Sequence, residues 1–164
     1  MNKEKWRQEI INPLKDFNKH RAENRAKNPQ DTIDLKGINL NGSDLTKIDF
    51  MNLDLSGANL KGANLEKAGF IKTKLEDADL SGANLKEANF YKADLSGVDL
   101  TNANLEKVCF SLADLSRADF TGANFERTQL SGAILMWVRG LPEDVFKDWV
   151  MAVKASINFR NKEE

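Results

Sequence analysis

The chain has 164 residues and is poor in the side chains that most often carry chemistry. A single cysteine, Cys109, excludes an intrachain disulfide framework and any cysteine-rich metal site. A single histidine, His20, excludes paired-histidine metal sites and leaves little for acid–base catalysis. Net charge is almost absent: 24 Lys and Arg against 25 Asp and Glu give −1. That balance excludes a generally basic nucleic-acid binder and a polyacidic tail. No stretch approaches the ~20 apolar residues of a membrane span, and Met1–Arg7 lacks the apolar core of a signal peptide. The expectation is a soluble, cytoplasmic protein.

What the chain does have is a period of five. Leu or Phe occupies every fifth position from Leu35 to Leu135, 15 Leu and 6 Phe in 21 positions. Two residues earlier stands a small or aliphatic residue, Ala in 12 of the 21; only Ser43, Thr73 and Thr128 are polar there. Between them lies Asp or Asn in 16 repeats; the exceptions are Gly69, Lys74, Cys109, Gln129 and Ile134. Gly follows the Leu or Phe by two in eight repeats. The pattern runs from Ile33 to Trp137 without an insertion.

Neither common element can use this pattern. A helix would rotate the large residue by about 140° at each step, and a long strand would send alternate Leu residues to opposite faces. The period works if the chain turns a corner every five residues. The small residue and the Leu or Phe then point inward, and the Asp or Asn between them points out. The last two residues make the corner, which places Ser81 outside. Four such sides close a coil of 20 residues, because Phe50, Phe70, Phe90 and Phe110 recur at that spacing. Glu66, Lys86 and Glu106 alternate in sign at the same spacing, as do Lys67, Glu87 and Lys107, which predicts two ladders of opposite charge.

Ala58-Asn59-Leu60-Lys61-Gly62, Ala83-Asn84-Leu85-Lys86-Glu87 and Ala103-Asn104-Leu105-Glu106-Lys107 make the chain resemble the pentapeptide-repeat family over 105 residues. The resemblance implies a right-handed quadrilateral β-helix. The expected architecture is an all-β solenoid of about five coils with α-helices at both ends. Residues 1–31 would form an N-terminal helical cap, 32–138 the β-helix and 139–164 a C-terminal helical segment.

Trp6, Ile10, Ile11, Leu14 and Phe17 follow helical spacing. Capping of the first coil is their main reading; a basic membrane or nucleic-acid helix is the alternative, weakened by five acidic residues among eight basic ones in residues 1–31. After Gly140-Leu141-Pro142, a second helix carries Val145, Phe146, Trp149, Val150, Val153 and Ile157 on a broad apolar face. Phe146, Trp149, Val153 and Ile157 are expected against the end of the last coil near Leu130, Leu135 and Trp137. The resemblance adds a second role, because some family members dimerise through a C-terminal helical module. The candidate homodimer surface is Met136, Trp149, Val150, Val153 and Ile157.

No motif for catalysis, a metal or a cofactor emerges. The Asp and Asn columns recur because the repeat demands them, and Cys109 has no histidine within the repeats to activate it. The chain is therefore read as a non-enzyme without cofactors. Met51, Ile71, Tyr91 and then Leu112 interrupt the polar exterior beside the Phe column, as a candidate partner surface. The leading function is a non-catalytic scaffold presenting a rigid surface to a protein partner. The alternative, implied by the resemblance, is a DNA-mimicking modulator of a topoisomerase such as DNA gyrase. The repeats carry 15 acidic and 11 basic residues, a net −4, which is weak mimicry. Direct nucleic-acid or membrane binding is not expected.

Overall fold

The corner is the unit of this structure. The computed structural model describes residues 35–160, with side chains as far as Val153. The residue two after each Leu or Phe has a positive φ in every repeat from Gly37 to Trp137. Eight of these are glycines, and thirteen are not, among them Lys67, Glu87, Leu112 and Trp137. A positive φ at the third residue reverses the chain within four residues, and each reversal is closed by a backbone bond such as Ala58 N–H to Leu55 O, 2.9 Å. The recurring Asp or Asn has a part in the same corner. Its Oδ1 accepts the amide two residues on, as from Met51 to Asp49 (2.9 Å) and from Ser81 to Asp79 (2.9 Å).

Each corner leaves a side too short for a strand of ordinary length. One residue per side forms a parallel bridge, and all 17 bridges, from Asn39↔Asn59 to Asp119↔Arg139, join residues 20 apart. Four sides per turn follow directly. We number the faces by their central residues: face 1 holds Leu35, Leu55, Leu75, Leu95, Leu115 and Leu135; face 2 holds Leu40, Leu60, Leu80, Leu100 and Phe120. Face 3 holds Leu45, Leu65, Leu85, Leu105 and Phe125; face 4 holds Phe50, Phe70, Phe90, Phe110 and Leu130. Three main-chain bonds tie each side to the next coil, for example Leu60 to Asp79 O, Gly62 to Ser81 O and Asp79 to Ala58 O, at 2.8–2.9 Å.

The interior follows from the register. The central Leu and Phe residues are buried from Leu35 to Phe120, and the Ala positions between them close the remaining space. The Phe rings of face 4 stack as expected, with centroids 5.2, 4.5 and 5.1 Å apart from Phe50 to Phe110. Two of the polar inner residues are satisfied: Thr73 and Thr128 donate to Phe50 O and Leu105 O, each at 2.8 Å. Ser81 departs from expectation. It sits at the expected corner but is covered there, at 9 % exposure. Corner residues sit between their counterparts in the coils above and below, and Ser81 O accepts Gly62 N–H there.

The coil ends at Arg139. Gly140 follows at φ 69°, where a side chain would collide with the backbone of Phe120 and Thr121. The chain leaves the ladder there and enters helix α1 (Glu143–Arg160). The expected N-terminal helix, with Trp6, Ile10, Ile11, Leu14, Phe17 and His20, lies outside the described residues.

A leucine at Ala83, which is fully buried, should lower stability by ~1–3 kcal/mol or more through overpacking. Lys61→Ala, at an exposed corner, should shift the thermal midpoint little. Equal shifts in paired thermal melts would contradict the inward assignment of the alanine column.

Candidate functional site: ladders and the exposed apolar end

Part of the outer surface, on face 3 and its corner, is occupied by ladders that stabilise the coil itself. On face 3, Asn84 Nδ2 donates to Asn64 Oδ1 (3.0 Å), Asn104 to Asn84 (3.2 Å) and Asn124 to Asn104 (3.1 Å). At the adjoining corner Lys67 and Lys107 flank Glu87 at 3.7 and 3.9 Å, and Lys86 meets Glu106 at 2.7 Å. The Lys67–Glu87–Lys107 column therefore forms throughout, while the other forms only between Lys86 and Glu106, because Glu66 pairs within its own corner with Lys67 (3.3 Å). The Lys86 ammonium holds the Glu106 carboxyl below its ordinary range, and Glu106 raises Lys86 in return. Two other carboxyls are lowered by their own corners. The Ser56 hydroxyl donates to Asp54 (2.7 Å), and the Thr121 hydroxyl and amide donate to Asp119 (2.7 and 3.0 Å).

Cys109 occupies the Asp/Asn position between Asn89 and Gln129. Its half-buried thiol donates to Ser111 Oγ at 3.5 Å, a side-chain contact in place of the amide that Asp or Asn accepts elsewhere. Among the described residues, no group of three His, Cys, Asp or Glu could hold a metal ion, and no helix is long and apolar enough to cross a membrane.

Among the described residues, apolar exposure lies toward the C-terminal end. Leu112, Ile134, Met136, Trp137, Phe146 and Met151 are the exposed large apolar residues among those described. Met51, Ile71 and Tyr91 are in register beside the Phe column, linked through Asn52 N–H to Ile71 O and Lys72 N–H to Tyr91 O, and all three are half-buried. Ile71 lies between Met51 and Tyr91, each one coil away. Leu112 sits at the following corner, 48 % exposed, with its side chain over Gly132. Ile134 and Met136 project from face 1 at 45 % and 53 % exposure. Trp137, expected near the end wall, is 77 % exposed instead, because the positive-φ corner position directs its side chain away from the coil axis.

Helix α1 covers part of the open end. Leu141, Val145 and Trp149 pack against the core. Trp149 Nε1 donates to Ala133 O at 3.2 Å. In the coils above, the equivalent carbonyls of Ala93 and Ala113 accept the amides of Asp114 and Ile134. The indole thus takes the place of a missing rung. Of the residues assigned to a dimer surface, Trp149 therefore belongs to the intrachain cap contact. Val150 and Val153 are half-buried, and Met136 lies on face 1. The side chain of Ile157 lies outside the described ones. Phe146, expected in the buried face, is 48 % exposed because Val145 and Trp149, one turn apart, take the coil-facing line.

The sequence comparisons agree with this architecture. The profile for pentapeptide repeats (8 copies) matches residues 33–69, and that for the pentapeptide repeat region matches 63–139. The chain belongs to the pentapeptide-repeat family, whose members form right-handed quadrilateral β-helices. Among solved structures it is similar to the pentapeptide repeat protein Rfr23 from the cyanobacterium Cyanothece 51142, with 27 % identity, 65 % of this chain and 86 % of that chain covered and a TM-score of 0.63. It is also similar to a pentapeptide repeat protein from the Arabidopsis thaliana thylakoid lumen, with 38 % identity, 68 % and 70 % coverage and a TM-score of 0.44. QnrB1, a plasmid-mediated fluoroquinolone resistance protein, matches at 20 % identity, 73 % and 65 % coverage and a TM-score of 0.46. No curated protein matches significantly.

Two measurements test these assignments. Trp149→Phe replaces the indole with a smaller ring and removes the donor to Ala133 O, and should lower stability by about 1 kcal/mol or more in denaturant titrations, from the lost bond and the lost packing together. The second concerns acid. Asp54, Glu106 and Asp119 have lowered pKa values in the folded chain, so the unfolded chain binds more protons near pH 4. Their contribution is present above the unfolded value and is lost as pH falls through the lowered ones. Thr121→Val should therefore lose less stability between pH 6 and pH 3 than the unmodified protein.

Proposed function

We propose that the protein is a non-catalytic interaction scaffold whose C-terminal end closes on a second copy to form a two-fold homodimer. One observation carries this reading: Met136, Trp137, Phe146 and Met151 are all exposed at the end where the coil stops and α1 begins. Large apolar side chains left exposed at one end of a molecule often mark a contact surface. A two-fold interface must complement itself. Residues 138–164 hold five basic and five acidic side chains, so two copies bring no net charge into opposition. Met51, Ile71, Tyr91 and Leu112 are proposed as the lateral surface that the dimer offers to a further protein partner.

A DNA-mimicking modulator of a topoisomerase would need a flank dominated by negative charge. Here Lys67, Lys86 and Lys107 interleave with Glu87 and Glu106 along face 3. The scaffold reading is therefore preferred.

Light scattering should give twice the 18.4 kDa chain mass, and Trp137→Asp with Met136→Asp should return the monomer while leaving the thermal midpoint nearly unchanged. Both residues are exposed on the coil, so their loss leaves the core intact. A monomer at high concentration in the unmodified protein would overturn the homodimer.

A further inference from the structure

The cap of the last coil is incomplete. Trp149 serves face 1, but face 3 ends at Asn124–Thr128 without a covering strand. In the coil above, the amides of Leu105 and Lys107 donate to Asn124 O and Glu126 O, and the carbonyls of Ala103 and Val108 accept from Asn124 and Gln129. The equivalent groups one coil on are the amides of Phe125 and Arg127 and the carbonyls of Ala123 and Thr128. Among the described residues none of these four makes that inter-coil bond. The amide ladder is open here as well, because no further side chain donates to Asn124 Oδ1.

This edge forms one wall of a groove of about 620 Å³, and α1 forms the other. Phe125, Leu130, Val145 and Trp149 line its apolar part. Its charge is mostly negative. Glu126 pairs with Arg127 at 3.9 Å, whereas Asp144 and Asp148 make no ion pair among the described residues. A volume of several hundred Å³ suits a short segment of chain rather than a folded surface. An exposed edge beside an apolar wall is the arrangement in which a peptide is added as an extra strand.

We infer that this groove binds an extended segment of a partner protein, laid as one further rung on face 3, with an asparagine on the open amide ladder and a lysine or arginine against Asp144 and Asp148. The carboxylates select the charge, the unpaired main-chain groups set the register, and Asn124 reads the asparagine. The inference rests on the protein-binding, non-catalytic reading above, but uses a different surface from the homodimer contact.

The test is a capped hexapeptide, Ala-Ala-Asn-Leu-Lys-Lys, titrated into the full chain and followed by amide chemical shifts and hydrogen exchange. Saturation should slow exchange of the Phe125 and Arg127 amides by about tenfold or more. Replacing the peptide asparagine with alanine should weaken binding several-fold in the unmodified protein, so this arm needs no variant to fold. Asp144→Lys with Asp148→Lys should weaken the lysine peptide by about tenfold or more and favour a peptide with both lysines changed to glutamate. No shift at millimolar peptide, or an affinity indifferent to both changes, would overturn the inference. So would protection of the two amides that rises with protein concentration in the absence of peptide, which would mean that a second copy fills the groove. A monomer that binds the peptide and a dimer that does not bind it separate this inference from the homodimer reading.

Discussion

Everything in this structure hangs on one repeated constraint, the hydrogen bonds that hold each residue opposite the one 20 positions later. Once Leu60 N–H is tied to Asp79 O and Asp79 N–H to Ala58 O, side chains that share a column must stack at the spacing of neighbouring strands. The Phe column, the asparagine ladder and the alternating Lys and Glu columns are consequences of that spacing. Each is weak by itself. Together they favour a single register, because a slip of one residue would exchange the alanines for outward Asp and Asn.

The register in turn depends on corners that most residues adopt reluctantly. A left-handed conformation is disfavoured by roughly 1–2 kcal/mol for a residue with a Cβ, yet thirteen non-glycine residues hold it. The ladder bonds on both sides and the Asx oxygen in each corner compensate. This division of labour explains the composition. Asp and Asn are frequent because they accept the corner amide, as Asp79 does from Ser81 and Asp99 from Thr101. Cys109 fits the same account, with its thiol directed to Ser111.

A coil built this way repeats its main-chain ladder along its length, and that ladder is broken at its ends. The last coil lacks a successor, so its carbonyls and amides need other partners. Trp149 supplies one donor, and α1 lays Val145 over the core. The same end collects the exposed apolar side chains and the open edge of face 3. Function in such a molecule is accordingly expected where translation along the axis stops.

The five-residue period by itself determined the repeat and the identity of the inner columns, and the 20-residue recurrence of Phe determined the four-sided closure. These are local consequences of which residues tolerate a corner and which must be buried, and they recur often enough to be read from spacing alone. The charge columns were legible for the same reason. The fate of the last coil was not. Phe146, Trp149 and Trp137 look equally apolar in the sequence, but α1 turns Trp149 to Ala133 O, leaves Phe146 outside, and a corner dihedral sends Trp137 outward. The half-burial of Met51, Ile71 and Tyr91 and the burial of Ser81 likewise depend on neighbours one coil away. Only the tertiary structure decided these points, because the exposure of a side chain depends on what stacks above and below it, and at the end of a solenoid that neighbour is no longer another repeat.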